Sequence, residues 1–290
     1  MVVKNNDNQK FKIMNTKFRM SALLFVFALL ISTGVNAQWI KASGNVISET
    51  RNVDSFQSIK SAGSADVIIT QESTTKVVVE SDANLVPHIT TEVKDGVLII
   101  EVKKNYRNID VVKVHISVAN LESIKSSGSG DIVLKNKFKS TSLKIKSSGS
   151  GDFVGQLDVK NLEYYVSGSG DGDFSGVNGE LKISISGSGD LNADDLRLNN
   201  CSVKLNGSGD VELSGSTENI VIGVSGSGDI DAYDMNAVNV TAKVAGSGEI
   251  KITAIESIVA SIAGSGDIYY KGNPEKVNVS SNGSGDIYKR

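Results

Sequence analysis

Between residues 128 and 286 the chain keeps returning to Gly-Ser-Gly followed by an acid, with the acid at Asp131, Asp152, Asp171, Asp190, Asp210, Asp229, Glu249, Asp267 and Asp286. From Asp131 to Asp286 is 155 positions in eight steps, a period of about 19. Composition alone would not hold that period or keep the flanking residues in step. Before the turn, apolar residues alternate with polar ones: Leu143 and Ile145, Ile183 and Ile185, Val203 and Leu205, Ile222 and Val224, Val277 and Val279. After it an apolar residue follows the acid, as at Ile132, Phe153, Leu191, Val211, Ile230, Ile250, Ile268 and Ile287. Period-two alternation over short stretches means strands with one buried face.

Each unit therefore reads as strand, tight corner, strand and a looser polar return such as Gly215-Ser216-Thr217-Glu218-Asn219. Units this small cannot enclose a core alone and must stack, each strand pairing with its equivalent in the next coil. The expected fold is all-β: a right-handed parallel β-helix, or β-solenoid, of about 19-residue coils, right-handed because parallel crossovers take that hand. The corner glycines allow positive φ and close approach of successive coils. The serines between them, from Ser129 to Ser284, would form a hydroxyl ladder.

Residues 38–120 differ, with strand candidates at Val67 to Gln71, Val77 to Glu80, Val97 to Val102 and Val111 to Val118. A degenerate corner, Gly63-Ser64-Ala65-Asp66, lies near their start. They read as a β-rich region that continues or caps the solenoid of residues 121–290 and protects its edge, with a separate sandwich as the alternative.

The first 37 residues read as a signal peptide. Lys4, Lys10, Lys12, Lys17 and Arg19 precede an apolar run from Ala22 to Ile31, and Val35-Asn36-Ala37 forms a cleavage site. That run falls short of the ~20 residues needed to span a bilayer, and no later run is longer, so no membrane span is expected after cleavage. No Cys follows the site to carry a lipid. An exported protein, periplasmic or on the outer cell surface, is implied. The whole chain has 30 Lys and Arg against 33 Asp and Glu; losing the five leader cations and Asp7 leaves 25 against 32, a net of −7. An acidic chain without clustered cations gives no footprint for nucleic acid, which is set aside as a partner. Cys201 is the lone cysteine and cannot form an internal disulfide.

Several stretches resemble one known family: Arg51-Asn52-Val53-Asp54-Ser55-Phe56 leading to the first corner, Val77 to Asn84, Asp95-Gly96-Val97-Leu98 and the Gly-Ser-Gly-Asp series. Together they are similar to the putative auto-transporter adhesin, head GIN domain family of exported bacterial proteins, common in the Bacteroidetes. The resemblance covers nearly all of the chain after the leader. It implies a right-handed β-helix, a periplasmic or outer-surface location and an adhesin role, and it supplies no catalytic residues.

Catalytic readings are weak. The two histidines, His88 and His115, lie in the N-terminal region, where a structural role is expected over a triad or metal site. Cys201 aligns with Ile220 and Val240 and reads as a small inward hydrophobe. Asp194 with Asp195, or Asp231 with Asp234, could supply an acid and a base on a polysaccharide-active β-helix. Lyase chemistry also wants a cation beside an acidic sugar, and Arg197 is the one arginine between Asp131 and Asp286. The corner acids have two readings: each accepts N–H bonds that close its own turn, or neighbouring carboxylates share cations as in Gly-rich calcium-binding β-rolls. Those rolls carry the motif at both turns, so the first reading is preferred and no cofactor or metal is expected. Tyr269 and Tyr288, each two residues after a corner acid, would face outward one coil apart, either as a glycan-stacking platform or as a shield for the last coils. The expected function is a non-catalytic adhesin-like or cell-envelope binding module, for glycan or other envelope material. A purely structural rod is the alternative, and an enzyme ranks below both.

Overall fold

The apolar alternation around each corner produces strands that stack in parallel. The computed structural model describes residues 39–290, of which Ile40–Arg290 form one compact unit; the expected leader lies outside the described residues. Strands Phe153–Gly168, Gly172–Gly187, Leu191–Gly207, Val211–Gly226 and Ile230–Gly246 each run from one corner to the next and pair in parallel with the strand one coil on. The fold is a β-solenoid of about nine turns with coils of about 19 residues.

Stacking turns the alternation into continuous inward rows. Ile124, Ile145, Tyr164, Ile183, Val203, Ile222, Ala242 and Ala260 lie one above another, and all are buried. Burying an Ile or Val side chain contributes about 1.5–3 kcal/mol, so the core is built coil by coil. The rows reach Val277 and Val279 in the last coil. These two, expected inside, are 48% and 45% exposed, because among the described residues no further coil covers them.

Close approach explains the first corner glycine. At Gly226, φ is +144°, and a Cβ there would fall on the carbonyl oxygen of Gly207 in the coil before. A side chain would force the coils apart as well as strain the backbone. What pairs at the serines is main chain, as in the Ser227 N–H donating to Gly207 O at 3.0 Å. The corner serines from Ser129 on are exposed at the turn tips, so main-chain bonds carry the pairing that a hydroxyl ladder was expected to supply.

The return is not a loop. Strand Val211–Gly226 passes through Gly215 to Asn219 without a break, its return pairing with residues of the next coil from Gly215↔Met235 to Asn219↔Asn239, after a register shift between Glu212 and Gly215. Where a return stacks on its equivalent in this way, its polar backbone groups are satisfied there. An amide ladder reinforces this side. Asn200 donates to Glu180 at 2.9 Å, Asn219 to Asn200 and Asn239 to Asn219 at 3.1 Å, and Ser257 to Asn239 at 2.7 Å.

At the other end, strands Ser58–Gly63 and Asp66–Gln71 form the first coil around the degenerate corner, in parallel register with Ser123–Gly128 and Ile132–Leu134. Strands Val97–Val102 and Val112–Val118 pair in parallel onto that coil, and Ile89–Lys94, Lys76–Asp82 and Val46–Arg51 then add antiparallel. Side chains in the family-like stretches hold this region. Arg51 donates to the Val86 carbonyl at 2.8 Å, and buried Asp82 accepts from the Gly44 N–H at 2.8 Å and Ser43 Oγ at 3.0 Å. Asn84 donates to the Lys41 carbonyl at 2.8 Å.

Candidate functional site

The corner acids form one column along the solenoid. Each accepts, through Oδ1, the backbone N–H of the acid one coil on: Asp131 from Asp152, Asp152 from Asp171, Asp171 from Asp190, Asp190 from Asp210, Asp210 from Asp229 and Asp229 from Glu249, at 2.7–2.9 Å. Asp66 of the degenerate corner starts the series by accepting from Asp131 at 3.1 Å. The bonds join successive coils, where the sequence suggested turns closed within one corner. Glu249 interrupts the column: its carboxylate pairs with Lys251 Nζ at 2.6 Å. The series resumes with Asp267 accepting from Asp286 at 2.8 Å. Among the described residues no group of three or more His, Cys, Asp or Glu is placed to hold a metal ion.

Tyr269 and Tyr288 stack on one another, with centroids 5.1 Å apart and planes 17° apart, and Arg290 lies over the Tyr269 ring at 4.9 Å. Each hydroxyl donates to the free oxygen of its own corner acid, Tyr269 to Asp267 at 3.1 Å and Tyr288 to Asp286 at 3.0 Å. One face of each ring is turned on the other, and Tyr288 remains 42% exposed.

The candidate acid–base carboxylates are occupied separately. Asp194 accepts from Ser214 Oγ at 2.7 Å and Asn192 at 3.2 Å, Asp195 pairs with Arg197 at 2.7 Å, and Asp231 accepts the Tyr233 N–H at 3.0 Å. His115 Nε2 meets Glu80 at 2.7 Å on an outer face. Cys201 is 2% exposed and in register with Ile220, and burial pushes its thiol up to about 12. A thiol held so far from ionisation is a poor nucleophile.

A row of lysines lies outward, three residues before the first corner glycine. Lys60, Lys125, Lys146 and Tyr165 follow one another in register, and Ser184 and Lys204 extend the row. The next outward row adds Lys144 and Lys182, on either side of Glu163. Tyr165 gathers the ammonium groups: Lys146, Lys144 and Lys182 lie 5.2, 5.3 and 5.7 Å from its ring centre, and its hydroxyl donates to Glu163 at 2.8 Å. Glu163 in turn pairs with Lys144 at 2.6 Å. The Lys144 bond, then the Tyr165 bond, hold the Glu163 carboxyl below the usual carboxylate range. A groove of about 430 Å³ runs along this face, lined by Lys60, Lys125, Lys146, Tyr165 and serines. The sequence reading excluded clustered cations; stacking corrects it, because Lys125 and Lys146, 21 positions apart, and Lys60 and Lys125, 65 apart, are brought into neighbouring coils, about 4.8 Å from one another. Aligning the repeats on their glycines and reading that one column would have shown the row.

The solenoid has close counterparts among known structures. The chain is similar to a crystal structure described as a putative lipid binding protein from Parabacteroides distasonis, at 30% identity and a TM-score of 0.67 over 87% of this chain and all of that one. It also resembles a putative adhesin from Parabacteroides distasonis (24%, TM-score 0.70) and one from Parabacteroides merdae (23%, TM-score 0.65), over 87% and 88% of this chain and all of each of those. No curated protein matches the sequence. A family model described as putative auto-transporter adhesin, head GIN domain matches residues 55–214 and 199–274, so the chain belongs to that family.

Proposed function

We propose that this chain is an exported, non-catalytic binding module of the cell envelope, adhesin-like in its use, with residues 38–120 capping the solenoid of 121–290. The observation that carries the reading is the outer surface, where each coil repeats the chemistry of the last. Rows of lysine, asparagine and aspartate run along the axis and suit a ligand that itself repeats. Family membership supports it. So does the engagement of Asp194, Asp195 and Asp231 with separate partners. Among the described residues no helix is long and apolar enough to cross a membrane.

The test is a glycan array and a pull-down of cell-envelope fractions with the purified protein, with lipid vesicles as a further arm because one relative is described as lipid binding. Saturable retention of an envelope component is expected. A protein that holds nothing in any arm is instead a structural rod, the reading favoured by the uniformly small, exposed corner serines. Fractionation with protease shaving checks export and separates periplasm from outer surface.

A further inference from the structure

The lysine groove is a cationic feature of the surface that lacks counter-charges of its own. Like charges one coil apart, about 4.8 Å, repel even in water. Some charges of this protein are paired, as in Lys251 with Glu249 and Arg197 with Asp195. Lys60, Lys125 and Lys146 follow one another directly and make no ion pair among the described residues. A chain with more acids than bases has thus collected unneutralised cations on one face, and Tyr165 holds the ammonium of Lys146 beside its ring.

We infer that this groove binds a linear acidic polysaccharide, its carboxylate or sulfate groups meeting Lys60, Lys125 and Lys146 at one cation per coil. The inference rests on the binding-module reading above and names its ligand class. Three features choose this class. The row is straight, and its rise of about 4.8 Å per coil is close to the length of one pyranose unit in an extended chain. The groove walls are serines, including Ser127, Ser148, Ser167 and Ser186, whose hydroxyls both donate and accept as sugar hydroxyls require. Tyr165, the aromatic that lines the groove, gives its ring to lysine ammonium groups and so does not project as the kind of anchor that seats a protein in a bilayer. Duplex nucleic acid fits less well, since its phosphates wind away from a straight row of lysines.

The experiment is calorimetric titration of the purified protein with polygalacturonate, with neutral dextran, phosphatidylglycerol vesicles and duplex DNA as comparison arms. Polygalacturonate should bind with an affinity that falls as salt rises, and dextran should not bind. Changing Lys125 and Lys146 together to Gln should lower the affinity about tenfold and flatten the salt dependence. Lys243→Gln, outside the groove on the same row, should stay within about twofold of the parent. Tyr165→Leu should weaken binding without changing the salt slope, because the charges remain and only their placement is lost. Binding to vesicles or DNA without polygalacturonate, or a Lys125/Lys146 variant that binds like the parent, overturns the inference. If the array yields an envelope ligand that this variant still holds, the binding module stands and only its assignment to this groove fails; if no arm yields any ligand, both fall.

Discussion

Asp210 Oδ1 accepts the backbone N–H of Asp229 at 2.9 Å, while the carbonyl of Asp229 accepts the N–H of Val211 at the same distance. Asp210's own carbonyl is already taken by the Leu191 N–H at 2.8 Å, in the coil before. At the corner the main chain thus runs out of an acceptor facing the next coil, and the carboxylate supplies it. This is why an acid with a one-carbon arm recurs there: it continues the parallel ladder around a bend that the backbone alone would leave unpaired.

If the column is a matter of acceptor geometry, Asp210→Asn should be tolerated and Asp210→Ala should not. Asparagine keeps Oδ1. It gives up part of the extra strength of a charged acceptor, about 1.5–3 against 0.5–1.5 kcal/mol, and relieves about 0.9 kcal/mol of repulsion with each neighbouring carboxylate at the dielectric of water. The Asn variant should unfold within about 1 kcal/mol of the parent, and the Ala variant about 1.5–3 kcal/mol lower. Excess chelator or millimolar calcium should leave the midpoint unchanged. An Asn variant as weak as Ala, together with a calcium-dependent rise in the parent, would return the column to a cation site.

Glu249 offers the converse test. Its longer arm turns to Lys251, and no carboxylate bond joins it to Asp267. Glu249→Asp should restore the missing rung and stabilise by about 1 kcal/mol, since the gain of a charged acceptor exceeds the loss of a half-exposed ion pair. Denaturant unfolding reads the result, and a less stable Asp variant would show that the Lys251 pair matters more than the rung.

Tyr164 is a local flaw that the fold tolerates. Its ring packs between Phe153 and Phe174, at centroid distances of 5.9 and 5.3 Å, and fills the space left by Gly172, where other coils place an apolar side chain after the acid. The hydroxyl is buried with no hydrogen-bond partner, which costs about 1–3 kcal/mol. Tyr164→Phe should therefore raise stability by about 1 kcal/mol. Gly172→Ala should lower it, because the new methyl meets the Tyr164 hydroxyl. A destabilised Phe variant would mean that the hydroxyl finds a partner in solution.

The architecture was legible because one period controls both the turn and the alternation: Ile183 and Val203 could be placed inside from their spacing to the corner glycines. Three features escaped for one shared reason. The Asp210–Asp229 bond, the Asn200–Asn219–Asn239 ladder and the Lys125–Lys146 row are all contacts between coils, and each depends on register between equivalent positions, which a reading within one unit does not reveal. Register also sets the limit at Val277 and Val279, whose pattern is that of core residues while, among the described residues, no coil beyond theirs covers them. The return through Gly215 looked like a loop because its composition is polar; stacking gives it partners that composition does not record.

Alkaline pH should loosen the last coils. The bond to Asp286 raises Tyr288 above the usual tyrosine value of 10.0, and for Tyr269 the shielding of its ring, followed by its bond to Asp267, does the same. In both cases the folded state holds the proton more tightly than the unfolded chain. Below about pH 10 both states keep the proton and the contribution to stability is complete. Above it the unfolded chain releases protons first, so stability declines until the folded hydroxyls also ionise. Absorbance titration should show these two tyrosines ionising later than free tyrosine, and the unfolding midpoint should fall as pH rises above about 10. Asp286→Asn should bring Tyr288 back toward its ordinary value by removing the charged acceptor. Tyrosines that titrate normally in the folded protein would show that the two hydroxyl–carboxylate bonds do not persist in solution.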